Sequence, residues 1–159
     1  MILKPDFNLK KIYDINLDLL KEQGIRAIFF DLDSTIMVSK SGEYTEKTQN
    51  WLNEVDKNFF IAIVTNNKKI DYIDKVKSIT TFQVIADAKK PRVKAMKNLL
   101  NKINMKPSEV VMVGDRPLTD ILAGKILGCK TILVDSINAE NENKATRIVR
   151  WLERCIIRR

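Results

Sequence analysis

Five short apolar runs punctuate the chain, at Ile25 to Phe30, Phe59 to Val64, Phe82 to Ala86, Val110 to Val113 and Thr131 to Val134. Runs of this length, apolar and partly β-branched, have the pattern of strands buried on both faces. Segments of helical length lie between them. Tyr44 to Val55 carries Trp51, Leu52 and Val55 at helical spacing. Pro91 stands at the tolerated first position of a second helix, and Leu118 to Leu127 forms a third that Gly128 stops. Strands alternating with helices predict a doubly wound, Rossmann-like α/β fold, a parallel sheet in a three-layer α/β/α arrangement. Ahead of Ile25 the pattern predicts one helix around Asp18 to Gln23, and beyond Asp135 the chain closes on an arginine-rich helix. The expectation is a single domain over 1–159, with a core at about 25–135, a helical lead-in at 1–24 and a basic terminal helix at about 138–159.

Composition narrows the class. With 45% apolar and 30% charged residues, five glycines and four prolines, the chain reads as globular, and no repeat or low-complexity segment is visible. Its apolar stretches fall far short of the ~18 residues that suggest a membrane span. Met1 to Asp6 lacks the apolar core of a secretory signal, so the expected location is cytoplasmic. The two cysteines, Cys129 and Cys155, show no metal-ligand spacing and read as reduced thiols.

Histidine is absent, which excludes histidine-based triads, phosphohistidine chemistry and His-ligated zinc. Neither cysteine is followed, five residues on, by the arginine that a cysteine-dependent phosphatase loop places under its phosphate. Carboxylates, lysines, hydroxyls and a hard metal must therefore carry any reaction.

In open parallel sheets the binding crevice lies beyond the carboxyl ends of the strands. There the sequence places Asp31, Asp33 and Thr35 after the first run, Thr65, Asn66 and Asn67 after the second, Lys89 and Lys90 before the Pro91 helix, and Gly114, Asp115 and Asp120 after the fourth. An acidic pair alone is commonly a turn or a helix cap. Four polar clusters at successive strand ends carry more weight. A phosphate monoester bears about −1.5 to −2 charges near neutral pH, so Asp31, Asp33 and Asp115 would repel it unless cations intervened. Oxygen donors of this hardness suit Mg2+, and a lysine adds a point charge.

The four strings together resemble the haloacid dehalogenase (HAD) superfamily. Asp31-Leu-Asp33-Ser34-Thr35 resembles its first motif, Ile63-Val64-Thr65-Asn66-Asn67 the second, Lys90-Pro91 the third, and Gly114-Asp115-Arg116-Pro117-Leu118-Thr119-Asp120 the fourth. The spacing and the last two motifs look like the YqeG-type branch of HAD subfamily IIIA, whose relatives include the mitochondrial phosphatidylglycerophosphate phosphatase. Ser34 stands where that branch often has Asn. The resemblance implies an aspartyl-phosphate on Asp31, with Asp33 first protonating the leaving alkoxide and then activating water. It implies Mg2+ held by the Asp31 and Asp115 carboxylates and the Asp33 carbonyl, with Asp120 supporting them. It implies that the Thr65 hydroxyl and the Asn66 amide grip phosphate oxygens while Lys90 stabilises the transition state.

Some of these residues admit plainer roles: Lys89 as a solvated charge at the helix start, Thr35 as a hydroxyl closing the turn, Asn67 as a cap. A response-regulator receiver also gathers aspartates, a hydroxyl and Lys-Pro around Mg2+, but there Lys-Pro falls near the end, whereas here another strand and Asp115 follow it.

The gaps from Thr35 to the second run and from Asn67 to Lys90 leave no room for a large cap domain, which implies an open cleft suited to a large or surface-bound substrate. The net charge of +8 favours an anionic partner. Lys144, Arg147, Arg150, Arg154 and Arg158 recur beside Ile148, Trp151, Leu152, Cys155 and Ile156, a basic amphipathic pattern suited to a lipid interface. The alternative is a helix that packs its apolar face on the sheet and leaves its arginines in water. Two readings follow: a phosphatase acting on a phosphorylated lipid at the inner face of a membrane, or a nucleic-acid-binding protein or nucleic-acid-end phosphatase. The second lacks aromatics interleaved with lysines for stacking.

Overall fold

A computed structural model describes residues 3–138 and 142–157. Among these residues six strands form one wholly parallel sheet: β1 (Phe7–Leu9), β2 (Ala27–Phe30), β3 (Phe60–Val64), β4 (Gln83–Ile85), β5 (Val110–Gly114) and β6 (Lys130–Val134). Their order is β1-β6-β5-β2-β3-β4. From β2 the chain winds outward through β3 to β4, then returns to β5 on the other side. The topological switch point therefore lies between β2 and β5, where a doubly wound sheet opens its crevice.

The helices are α1 (Leu17–Glu22), α2 (Glu46–Asp56), α3 (Ile70–Ile79), α4 (Lys94–Lys102), α5 (Leu122–Leu127) and α6 (Lys144–Ile157). Side chains alternate across the sheet with the strand period of two. Ile28, Phe30, Ile61, Ile63, Val111 and Val113 pack on Leu20, Leu52, Val55 and Val76 from α1, α2 and α3. Ala27, Phe29, Ala62, Val64, Val110 and Met112 pack on Met96, Leu99 and Leu100 of α4 and Ala123 and Leu127 of α5. This is the three-layer α/β/α architecture, and the two gaps hold only α2, and α3 with β4, without a large cap.

Three details differ from the sequence reading. The lead-in supplies an edge strand besides its helix: β1 pairs with β6, and the Asp6 carboxylate accepts from the Thr131 amide and hydroxyl at 2.8 Å. Pro91 does not open α4, which begins at Lys94, because the Asn66 side chain bonds both the amide and the carbonyl of Lys90 and holds this stretch as a loop. The helix read from Leu118 starts as a wider π turn, Pro117–Ile121, before α5, and Gly128 closes α5 in the left-handed region at φ +87°. Cys129 is buried and donates to the Gly124 carbonyl at 3.4 Å, and burial pushes its thiol up to about 12, so it reads as an inert packing group.

Helix α6 departs furthest from expectation. The alternative in which it packs its apolar face on the sheet is contradicted. Its buried and half-buried residues are Arg150, Glu153, Arg154 and Cys155, while Ile148, Val149, Trp151, Leu152 and Ile156 face water, Trp151 at 63% exposure. Ion pairs hold the inner side: Glu153 to Arg116 at 2.7 Å, Arg154 to Asp135 at 2.6 Å and Arg150 to Glu142 at 2.7 Å. Arg158, read as the last of the basic series, lies outside the described residues.

Candidate active site

The chain leaves β2 at Phe30 and folds into a tight loop in which the amides of Thr35, Ile36 and Met37 all point to the Leu32 carbonyl. Ser34 turns the corner at φ +69°, a left-handed conformation that Asn tolerates better than Ser. The loop aims Asp31 and Thr35 inward, where β5 delivers Asp115. The Thr35 hydroxyl lies 3.0 Å from Asp115 Oδ1 and 3.3 Å from Asp31 Oδ2. At Gly114 an added Cβ would collide with the Asp120 carboxylate, so only glycine lets the following turn fold back this closely. That turn brings Asp120 home, its Oδ2 accepting from the Arg116 amide at 3.1 Å.

Carboxylate oxygens of Asp31, Asp115 and Asp120 converge within 4.8 Å of one another. Lys90 enters from the β4 side and donates to Asp31 Oδ1 at 2.6 Å and Asp120 Oδ1 at 2.7 Å, with its side chain 1% exposed. Burial opposes the Lys90 charge, but Asp120 and Asp31 outweigh it and raise its pKa above the ordinary value. Burial also lifts the Asp31 carboxyl, to about 6, with Asp120 and Asp33 adding to the rise and Lys90 opposing it. Lys90, with Arg150 against Asp115 Oδ2, still leaves the three carboxylates with an excess of negative charge. A set of oxygen donors carrying excess negative charge suits a hard divalent cation.

Asp33 stands beside this cluster. Its carboxylate accepts from the Lys40 amide at 2.9 Å, the Tyr72 hydroxyl at 2.8 Å and Asn67 Nδ2 at 3.4 Å. Burial and the Asp33 carboxylate together raise the Tyr72 phenol pKa. The Thr65 hydroxyl is buried and accepts from the Asn67 amide at 3.0 Å, which leaves its proton to donate. Asn67 Oδ1 accepts from the Lys69 amide just ahead of α3, so the residue serves both the turn and Asp33. Lys89 is exposed, 3.6 Å from Asp87, and takes no part in the carboxylate cluster.

Three participants escaped the sequence reading. The Asn66 side chain fixes the Lys90 backbone with contacts of 2.7 and 3.0 Å. Tyr72 holds Asp33 from α3, on a helix whose pattern signals only packing. The third is Arg150, whose guanidinium meets Asp115 Oδ2. A cleft of about 420 Å3 lies here, lined by Asp33, Ser34 and Asp115 on the sheet side and by Thr146, Val149 and Arg150 of α6. The open cleft expected from the missing cap is therefore walled on one side by the terminal helix.

The HAD-hydrolase-like family model matches residues 88–150, the stretch that carries Lys90, Asp115 and Asp120. The Bacillus subtilis (strain 168) protein described as "Probable phosphatase YqeG" is 29% identical over 96% of this chain and 88% of its own length. The Arabidopsis thaliana phosphatidylglycerophosphate phosphatase 1, chloroplastic/mitochondrial, is 26% identical over 98% of this chain, which spans 47% of that relative. A crystal structure of an uncharacterised Listeria monocytogenes serotype 4b protein superposes with a TM-score of 0.56 at 18% identity, covering 69% of this chain and 78% of that one, a likeness of fold. The chain is similar to HAD-type phosphatases of the YqeG type.

Proposed function

We propose that the protein hydrolyses phosphomonoesters through a phosphorylated Asp31, with Mg2+ as cofactor, on a substrate presented at an anionic lipid surface. The carrying observation is the convergence of Asp31, Asp115 and Asp120 around Lys90 at the switch point. The Asp31 and Asp115 carboxylates and the Asp33 carbonyl would hold Mg2+, which when bound supplies positive charge to the phosphate. Asp31 attacks phosphorus as the bond to the leaving oxygen breaks, and water then cleaves the resulting acyl phosphate to release inorganic phosphate, which divides the displacement into two easier steps. Asp33, held by Tyr72 and the Lys40 amide, delivers a proton to the leaving oxygen and takes one back from water. Thr65 and the Asn66 amide hold phosphate oxygens, and Lys90, fixed by Asn66, faces the charge that develops on them.

The state of Asp31 sets a pH dependence. Its folded pKa of about 6 lies above the ordinary 3.8, so keeping it ionised costs the metal-free fold. This contribution is most favourable below 3.8 and is lost as pH rises through 6. A cation on the ionised carboxylate reverses the preference. The rise in melting temperature on adding Mg2+ should therefore be largest near pH 8 and shrink as pH falls through about 6. A Mg2+ effect independent of pH across this window would count against Asp31 as a ligand.

Helix α6 supports the lipid surface. Its outward stripe of Ile148, Trp151, Leu152 and Ile156 lies beside exposed Lys144 and Arg147. Each such apolar side chain gains up to about 1.5–3 kcal/mol on leaving water, and each basic residue near an anionic surface adds about 1 kcal/mol. Among the described residues no helix is long and apolar enough to cross a membrane. The relative named for phosphatidylglycerophosphate makes an anionic glycerophospholipid monoester the first substrate to test. Replacing Ile148 and Trp151 by Ala should weaken binding to phosphatidylglycerol vesicles about tenfold or more and leave hydrolysis of a soluble aryl phosphate unchanged. Flotation with vesicles reads this out, and unchanged flotation would remove α6 from the lipid account.

A further inference from the structure

The contact between Arg150 and Asp115 carries more than the docking of a helix. Arg150 comes from α6, yet its guanidinium reaches the carboxylate that ends β5, and its side chain is 11% exposed. Nη2 is committed to Glu142 at 2.7 Å and Nη1 meets Asp115 Oδ2, while Nε is buried without a hydrogen bond among the described residues. Arg150 therefore supplies a positive charge at an oxygen that a divalent ion would use. A divalent ion held by Asp115 would compete with the guanidinium for that oxygen, and its compact double charge suits a hard oxygen donor better. Glu142, itself bonded by the Ser136 hydroxyl at 2.6 Å, would keep a displaced Arg150 within the same cleft. Asp33 and Ser34 line that cleft together with Arg150 and Asp115.

We propose that Arg150 is a ligand for the substrate's phosphate: it rests on Asp115 in the metal-free protein and turns Nη1 and Nε onto the phosphate when a divalent cation takes Asp115. The planar guanidinium fork matches phosphate oxygens in pairs, and a site with three carboxylates needs positive charge beyond Lys90 and one ion. The terminal helix then completes the pocket that a cap would otherwise close. This inference rests on the phosphatase reading above, because the anion it assigns to Arg150 is the one Asp31 attacks.

The test compares the full chain with Arg150→Gln, Arg150→Lys and Arg154→Gln. Mg2+ alone is titrated calorimetrically, and inorganic phosphate is then titrated in saturating Mg2+. Arg150→Gln should bind Mg2+ about tenfold more tightly, since the resting contact no longer competes. It should bind inorganic phosphate about tenfold more weakly, with a rise in KM exceeding any fall in kcat, and Arg150→Lys should recover part of the phosphate affinity. Arg154→Gln loosens the same helix from Asp135 without touching Asp115, and should change neither titration. The proposal is overturned by unchanged or weaker Mg2+ binding in Arg150→Gln, by unchanged phosphate binding, or by equal shifts in Arg154→Gln. Absence of hydrolysis by the wild type would instead defeat the phosphatase reading, while both titrations would still report on Arg150.

Discussion

Replacing Asp31 by Asn is expected to lower turnover of an aryl phosphate by about 10^4-fold or more, the scale of loss when a covalent nucleophile is removed. The substitution is nearly isosteric. The amide oxygen can still accept from Lys90 and the fold has no cavity to fill, so the effect falls on chemistry. Stability should move the other way. Burial holds the Asp31 carboxyl at about 6, so its ionised form costs the metal-free protein free energy above that pH, and Asn removes the charge. Metal-free Asp31→Asn should thus melt at or above the wild-type temperature at pH 8. An inactive variant that melts well below wild type would instead assign Asp31 a structural role, and an active one would move the nucleophile elsewhere.

Lys90→Met should produce the largest loss of stability. The Lys90 ammonium is buried between two carboxylates at 2.6 and 2.7 Å, and its removal strands them together in the interior. Removing one partner of a buried ion pair costs about 3–5 kcal/mol, and urea denaturation at pH 8 would measure it. Without Lys90 the Asp31 pKa rises further, so the deficit should shrink as pH falls and the carboxyl takes up its proton. Adding Asp120→Asn should restore part of the loss. A deficit below about 1 kcal/mol, the value of an exposed pair, would contradict the buried network. Phosphatase activity should fall as well, since Lys90 faces the reacting phosphate in the proposed mechanism.

The parts of this architecture that a reader of the chain can anticipate are those governed by local pattern. Ile25 to Phe30 and Val110 to Val113 announce central strands because both faces are buried, and the residues at their ends converge because parallel strands share one direction. Strand β1 offers no such signal: three residues at the sheet edge, flanked by Asp6 and Lys10, need only one partner and no continuous apolar run. The Lys90 loop misleads for a related reason. Proline suits a helix start, but the clamp that keeps this one in a loop comes from Asn66, 24 residues earlier.

The site divides in the same way. Asp31, Asp33, Asp115 and Asp120 lie in compact motifs, whereas Tyr72 and Arg150 reach the site from helices whose periodicity speaks only of faces. In α6 the pattern even points the wrong way for packing: the apolar stripe suggests the buried side, but Arg116, Asp115 and Asp135 at the strand ends offer charges that draw Glu153, Arg150 and Arg154 inward. Charge complementarity at the mouth of the site decides which face turns in, and it leaves the stripe outward.

The central claim is that the Asp31 carboxylate becomes covalently phosphorylated. Rapid acid quenching during turnover with Mg2+ and a labelled phosphomonoester, followed by peptide mapping, tests it most directly. The expected result is acid-stable label on the peptide containing Asp31, absent from Asp31→Asn and absent when Mg2+ is chelated. Sustained turnover with no labelled protein, or label on any other residue, would contradict it.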